Sequence, residues 1–523
     1  MLILSSRMRP KEQFEGYAFV GTDYVHGPAG MAAYRARTGR TVGPGEDGCY
    51  VVARRAGRLF GRRFEVGTDA SGLGRLFLYR SGDDWALGSS YSGLVEHLRT
   101  EGMTLTPRLG RLRPFALRQT LTMQLSIFQT PFDEIRLLPV GTVVVIRGSV
   151  LSLERAPELQ PLEYEAALQE YLDVWRGRTR ALLADPRVTF TADLSGGVDS
   201  RTVFAFLLES GLFRTDSDRF WLHSGVNQKE DLAVAKGIAE AHGLTVNGPK
   251  PPTRTLVSGS RAYRHWRENS LGVYTPVYMS STFQNPFEVH AHGGGGGTIK
   301  QYYRHAEPLR LLEPFKEKMP AADFALWQEE MATTQEQLKQ TAPGVVPSIQ
   351  HYLEFRNRFH FGHIPKARPL FMPLNSKYAI RALTSLPQDV RRRFYFDVME
   401  SLAPGLKDVD YDNARKAPTA QELESLLVLP ASDRLAAGTA YGDDTVETAD
   451  PDDPLSAGFQ RWLQDIDRAA ARPEVRRFIM GRAMARTDRT VEALRALGKP
   501  FHSHSGHSVA LSHLLMVDFT LGD

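Results

Sequence analysis

A chain of 523 residues with 42% hydrophobic and 24% charged side chains is long enough for two or three domains with real cores. Its net charge of +4 is small for that length and diffuse, which suits an anionic small ligand and argues against a nucleic-acid partner. The single cysteine, Cys49, excludes an internal disulfide and fits a reducing compartment.

The opening MLILSSRMRP has too short an apolar run for a signal peptide, and no stretch reaches the roughly 18 apolar residues of a membrane span. A cytoplasmic protein with no membrane partner is expected. The first 150 or so residues read as β-rich. GCYVVARRAGRLFGRRFEVGTD, RLFLYRSGDDWALGSS and GTVVVIRGSVLSLE are strands punctuated by Gly, Ser and Asp. Cys49 falls within one of them and reads as a core residue. YSGLVEHLRTEG is a short helix stopped by glycine. Two strand layers covered by helices, an α+β sandwich, is the simplest architecture.

ERAPELQPLEYEAALQE reads as a linker entering a new domain, with two prolines before a periodic helix. The domains are therefore drawn as 1–158 and 159–523. After that helix the pattern alternates: RVTFTADL then SRTVFAFLLESG, RFWLHSG then KEDLAVAKGIAEAHG. Such alternation predicts a parallel sheet with helices on its faces, an α/β domain. Beyond about residue 300 the chain reads as mostly helical, and the acidic stretch 436–455 is a lid or a surface loop.

The segment TFTADLSGGVDSRTVF joins a strand to a helix through two glycines. Gly196 and Gly197 let backbone N–H groups approach a ligand closely, and the unpaired amides and dipole of the helix start favour a phosphate. Leu194 at the strand's end, and Ser195 and Ser200 with their hydroxyl donors, are expected among the phosphate-binding residues. Asp199 would repel a bare phosphate, so it is expected to act through Mg²⁺. The loop lacks the Walker A pattern. A plain turn capped by Asp199 or Ser200 would not require the whole string. Downstream, VHAHGGGGGTIKQYYRH carries a glycine run. Its ordering costs conformational entropy, so a ligand-facing role is expected for Gly293, Gly294 and Gly295. His290 and His292 alternate on one strand face and read as ordinary histidines rather than ligands. His502, His504, His507 and His513 near the C-terminus fit no common zinc spacing and read as incidental surface residues.

SGGVDS after an apolar strand resembles the PP-loop of N-type ATP pyrophosphatases. The wider context is similar to the asparagine synthetase family, which includes β-lactam synthetases and lasso-peptide cyclases. FEVGTDASGLGRLFLYRSGDDWALGSS and FDEIRLLPVGTVVVI look like that family's glutaminase-like (Ntn) domain. KEDLAVAKGIAEAHG and YLEFRNRFHFGHIPKARPLFMPLNSKYAIRALTSLP look like parts of its synthetase domain. The resemblance covers most of residues 45–420. It implies adenylation of a carboxylate by ATP with Mg²⁺, release of pyrophosphate, and attack by an amine. It also implies adenine beside Leu222, His223, Ser224 and Gly225, at a strand's carboxyl end.

The sequence departs from the family in two places. Leu2 stands where glutamine-dependent members carry the nucleophilic cysteine, so a degenerate, glutaminase-less first domain is expected and the nitrogen would come from another amine. Gly297 and Thr298 replace the acids of the second phosphate-side loop, which leaves Asp199 as the expected metal residue. By approximate spacing, Glu354 of YLEFRNRF matches the family's base, and Lys416 of DYDNARKAP its oxyanion-stabilising lysine. The expected activity is an amide, lactam or macrolactam synthetase in specialised metabolism, acting on small-molecule or peptide substrates, with a homodimer or a partner enzyme left open. Its rivals are a non-catalytic scaffold of the same fold and an ATP pyrophosphatase that activates a base or ureido oxygen.

Overall fold

A computed structural model describes residues 1–57, 63–211, 217–249, 258–279, 285–299, 302–303, 305–342, 345–362, 368–432, 438–443, 452–479, 481–498 and 505–522. Among the described residues, ten strands lie before residue 156: β1 Ile3–Ser5, β2 Gln13–Val20, β3 Asp23–His26, β4 Asp47–Ala56, β5 Arg63–Thr68, β6 Phe77–Ser81, β7 Asp84–Gly88, β8 Ile135–Leu137, β9 Thr142–Arg147 and β10 Val150–Arg155. They pair antiparallel into two sheets, one ordered β1-β7-β6-β8 and the other running β10-β9-β5-β4-β2-β3.

Period-two alternation explains how the sheets stack. Along β4, Val51 and Ala53 face inward with Phe64, Val66, Val144 and Ile146, and meet Leu2, Leu4, Leu78, Trp85 and Leu87 of the facing sheet. Each such side chain, fully buried, contributes on the order of 2 kcal/mol. Tyr50 and Val52 point the other way, with Phe14, Ala18 and Val20, toward Tyr34 of helix α1 (Gly27–Thr38). Cys49 is a buried core residue of β4. It shares a cluster with Tyr17, Phe19 and Trp175, where this sheet meets the rest of the chain.

The second half centres on β11 Thr189–Asp193, β12 Phe220–His223, β13 Glu288–Ala291 and β14 Leu370–Phe371. All pair parallel, in the order β12-β11-β13-β14. Thus β12 lies on one side of β11 and β13 on the other, which makes the carboxyl end of β11 a topological switch point, where open α/β sheets place their ligands. One sheet face carries Phe190, Ala192, Leu222, Val289 and Ala291, all buried. The other carries Thr189, Thr191, Asp193, His223 and His290, and is only partly buried.

The chain is therefore α/β with mixed sheets. The proposed cut at 158/159 falls between β10 and the helix α3 (Tyr164–Ala184), but two features cross it. β15 (Ala440–Tyr441), from the stretch read as an acidic loop, pairs parallel with β3 and completes that sheet as its seventh strand. Trp266, Trp462, Leu511 and Leu514 of the late helices pack on Phe77, Tyr79, Tyr91 and Leu94 of the antiparallel half. The reason is apolar area: these helices have a face to bury, and the outer side of the four-stranded sheet is the surface that takes it. Residues 444–451 of the acidic stretch lie outside the described residues.

A buried node links the halves. The Asp47 carboxylate accepts from Arg178 Nη1 at 2.7 Å, Ser376 Oγ at 2.8 Å and Lys377 N at 2.8 Å. Among the described residues, no helix is long and apolar enough to cross a membrane.

Candidate functional site

The loop grows directly out of β11. Leu194 N donates to His223 O at 2.9 Å, extending the ladder by one residue, and its side chain is buried. The chain then turns through Ser195–Gly197 into helix α4 (Val198–Glu209), whose N-cap is Gly197, without a side-chain cap. A helix start without a side-chain cap at a switch point is an anion-favouring position. The two serines face each other: Ser195 N donates to Ser200 Oγ at 3.1 Å, and the two hydroxyl oxygens are 3.0 Å apart. Gly197 N donates to Ser195 Oγ at 3.2 Å. The hydroxyls expected to reach a ligand are thus first the struts of the turn. Gly197 has φ −90° and ψ 161°, which any residue adopts, and a Cβ there would make only ordinary contacts, 3.4 Å from Ser195 Oγ and 3.9 Å from Lys416 Nζ. Gly196 N donates to Asp231 Oδ1 at 3.0 Å, and a side chain on Gly196 would collide with Asp412.

Lys416 reaches this loop from more than 200 residues away. Its Nζ bonds both Asp412 oxygens, at 2.8 and 2.6 Å, and is partly exposed. The segment is clamped to α4 by Arg201, whose Nη1 donates to Val409 O at 2.7 Å and whose Nη2 donates to Asp410 O. The guanidinium carbon lies 3.8 Å from the Tyr411 ring centre. Arg392 holds the other end, donating to Lys416 O and Ala417 O. Beside this segment, a cleft of about 650 Å³ opens toward helix α5 (Lys229–Ala241), lined by Glu230, Tyr411 and Asp412 among others. Sequence reasoning missed Arg201, Asp231 and Asp412. An arginine directly before the apolar run TVFAFLL of the helix was the available signal for the first.

Asp199 accepts a hydrogen bond from Tyr395 OH, which also donates to Gly296 O at 3.3 Å. Burial, together with the Asp199 charge, drives the Tyr395 phenol well above its usual range. The glycine run lies against the same carboxylate. A Cβ on Gly293 would come within 3.0 Å of Asp199 and Ser200, and one on Gly296 would strike the Asp199 carboxylate. The glycine run expected as a substrate loop is closely packed on its side-chain positions. Gly294 faces Met372 and Phe361, and Gly295 has φ +102° and abuts Leu374 and Asn375. Gly297 presses on the Tyr352 ring, so a carboxylate in its place has no room. Close packing thus leaves no room for a side chain at these positions, with neighbours drawn from α4 and from Tyr352, Phe361, Met372, Leu374 and Asn375.

At the strand ends a cluster appears that the sequence reading passed over. His223 Nδ1 lies 3.1 Å from Asp193 Oδ1, and His290 Nε2 3.0 Å from Oδ2. His292 Nε2 stands 3.6 Å from that oxygen. Burial pushes the Asp193 carboxyl up, but the bonds to His223 and His290 and the neighbouring imidazoles outweigh it and hold it well below the carboxylate range. Burial lowers the His292 imidazole. His290 and His292, read as ordinary residues, are thus members of the cluster. Among the described residues no His, Cys, Asp or Glu group has the arrangement to hold a metal ion on protein ligands alone.

On the adenine side, the Leu222 side chain is in the core, so it lines nothing. His223 stacks on Trp221 with ring centres 5.4 Å apart. Ser224 is buried and Gly225 exposed. Glu354 is not brought to the loop. Its carboxylate accepts from Val140 N at 2.9 Å and from Arg358 Nη1 at 3.2 Å, and is fully buried. Burial raises its pKa against the pull of Arg358. These partners tie it to the antiparallel half through Val140. The surface reading of His513 is corrected too: it is buried, with its pKa lowered to about 4 by burial. His507 stands 3.1 Å from Thr490 Oγ1. His502, His504 and the Thr298 side chain lie outside the described residues. No protein-family model matches this chain, and no curated protein shows significant similarity to it.

Proposed function

We propose that this protein is an ATP-dependent synthetase that adenylates a carboxylate and passes the acyl group to an amine, forming an amide, lactam or macrolactam. One observation carries the reading. Lys416 is delivered from a distant segment to within about 4 Å of a Cβ position on Gly197, at an anion-favouring helix start on the switch point of a parallel sheet. In this reading the sheet and loop are a PP-loop pyrophosphatase fold, and the antiparallel half a degenerate glutaminase-like sandwich. Leu2, packed in the sandwich core, supplies no nucleophile, so the amine comes from the substrate side.

The uncapped α4 amides and Lys416 would hold the phosphates. A carboxylate oxygen attacks the α-phosphorus, pyrophosphate leaves, and the amine then displaces AMP with loss of a proton. Lys416 is the cation placed to stabilise the charge that develops on oxygen. Asp199 is the one loop carboxylate available for Mg²⁺, and Mg²⁺ carried by phosphates and water needs only one or two. Bound there, the ion would neutralise phosphate charge. The 650 Å³ cleft is of small-molecule size.

A second reading, a non-catalytic scaffold, draws on a different observation. Gly196 N already donates to Asp231, and Asp199 already accepts from Tyr395, so protein groups occupy two positions that ligands would take. ATP–pyrophosphate exchange with Mg²⁺ across a panel of amino and carboxylic acids separates the two. Exchange with one acid, abolished in Asp199→Ala, is the expected result. Its absence with every acid, while ATP still binds by calorimetry, favours the scaffold.

A further inference from the structure

Seven arginines are buried among the described residues, and five of them have a counter-group. Arg176, Arg178, Arg358 and Arg381 pair with Glu209, Asp47, Glu354 and Glu170, and Arg201 donates to two main-chain carbonyls. Arg75 and Arg356 have no carboxylate partner among the described residues. Arg75 Nη2 donates to Asn269 Oδ1 at 3.3 Å, while its Nη1 is buried without an acceptor. Arg356 Nη1 donates to Gln124 Oε1 at 3.3 Å. A guanidinium carries five N–H donors, so both cations are short of acceptors as well as of counter-charge.

The two bonds cross, in opposite directions, where the halves meet. Leu125 N donates to Val273 O at 3.1 Å and Thr275 N to Met123 O at 2.8 Å, a seam that sets Gln124 opposite Tyr274. Arg75 comes from the loop after β5 and lies 4.8 Å from the centre of the Phe359 ring. Arg356 comes from a π-helical turn, Tyr352–Asn357. Burial pushes the Tyr274 phenol up to about 12 against the pull of both arginines, so it is neutral at pH 7 and no counter-ion. Burial brings Arg75 down to about 10, which leaves it charged, and its other electrostatic neighbours are Cys49 and Arg358. Arg356 also acts on Tyr303, whose hydroxyl is buried without a partner.

A buried cation without a counter-charge is costly, and an anion that binds it relieves the cost. Planar guanidinium forks beside a hydroxyl suit the two oxygens of a carboxylate. We propose that Arg75 and Arg356 form a buried carboxylate-binding site at the junction of the two halves, and that its ligand fastens one half to the other. The inference does not depend on the ATP reading.

Melting of the full-length protein without nucleotide, at constant ionic strength, tests it. Sodium acetate should raise the native melting temperature saturably, by about 2–4 °C, and chloride and phosphate should not. Arg75→Met replaces an uncompensated charge by apolar volume. It should melt at or above the native temperature in chloride and lose the acetate response, as should Arg356→Met; Arg75→Gln serves if the methionine variant fails to fold. No acetate response in the native protein, or one equal in the variants or in chloride, overturns the site. So does a folded Arg75→Met protein that melts several degrees below native in chloride, since the guanidinium would then already be satisfied. Phosphate as effective as acetate overturns the carboxylate class. Where the native protein shows pyrophosphate exchange, its loss in Arg75→Met with ATP binding unchanged places the carboxylate on the acid substrate, and unchanged exchange places it on a separate small acid; both uphold the site.

Discussion

The two halves treat buried polarity in opposite ways. In and around the antiparallel half, buried charges meet fixed partners, Arg75 and Arg356 apart. Arg178 sits on Asp47 with both side chains essentially out of solvent, and Arg358 pairs with Glu354 under the same conditions. Asp69 accepts backbone N–H bonds from Ser71, Leu73 and Gly74, with burial raising its pKa to about 6. At the carboxyl ends of the parallel strands the polar groups converge from separate elements and stay partly reachable: Asp193 with three imidazoles, the serine turn, and Lys416 over Gly197. Burying a charge requires a partner that satisfies it. A site that must accept a charged ligand keeps solvent access and several donors instead. Depth and closure of the pairing therefore separate structural charge from candidate chemistry in this molecule.

The comparison can be broken first at its most closed point. Arg178→Ala leaves Asp47 buried with only Ser376 and Lys377 as partners, and should cost about 3–5 kcal/mol in chemical denaturation. If the cost stays below about 1 kcal/mol, the node does not hold the halves together.

Acid tests the buried imidazoles. His26, His351 and His513 are each lowered from 6.5 to about 4, with burial the first cause. Because the folded values lie below the unfolded one, their stabilisation is complete above pH 6.5 and is lost as pH falls toward 4. It amounts to on the order of 3 kcal/mol per group. Asp69 acts in the opposite sense: its contribution is present below 3.8 and lost as pH rises through about 6. Among the largest of these shifts three imidazoles oppose Asp69, so the unfolding midpoint should fall between pH 6.5 and 4, and a flat profile would contradict this sign.

The open half is tested by function. Lys416→Ala should lower pyrophosphate exchange about 100-fold, near 2.7 kcal/mol, with melting temperature little changed because the side chain is partly exposed. The smallest effect sharpens the comparison. Glu354→Gln keeps the shape of the anchor and one bond to Val140, so a loss of about 1–2 kcal/mol in stability is expected, with exchange unchanged within twofold. Collapse of exchange at native stability would return Glu354 to the site.

Legibility followed the range of the interactions. Val51 and Ala53 face one way and Tyr50 and Val52 the other, and the unbroken apolar run YVVA is what a strand buried on both faces presents in sequence. The strand–loop–helix around Ser195–Ser200 was legible for the same reason, since glycine, serine and hydrophobic spacing act over a few residues. Lys416, taken from spacing against the family the sequence resembles, stands beside the loop, whereas Glu354, taken the same way, bonds Val140 and Arg358. A spacing carries no information about which of several cavities a side chain enters. The glycine run was noticed, but its cause was not, because the groups that forbid a Cβ there are Asp199, Tyr352, Met372 and Leu374.

By itself, then, the sequence determined the alternation of antiparallel and parallel halves, the glycine- and serine-rich turn from β11 into α4, and the lack of a membrane-length apolar helix among the described residues. Local backbone preference and hydrophobic period suffice for those features. Only the tertiary structure decided that Arg201 clamps the Lys416 segment, that Asp193 gathers His223, His290 and His292, that the late helices cover the first half, and that Asn247 closes on Ser224. Most of these contacts join residues from about thirty to several hundred positions apart, and even Asn247 meets Ser224 only through the bridge of Val246 to Leu222. Their partners are chosen by the packing of separate elements and the need to satisfy buried polar groups, which no local pattern encodes.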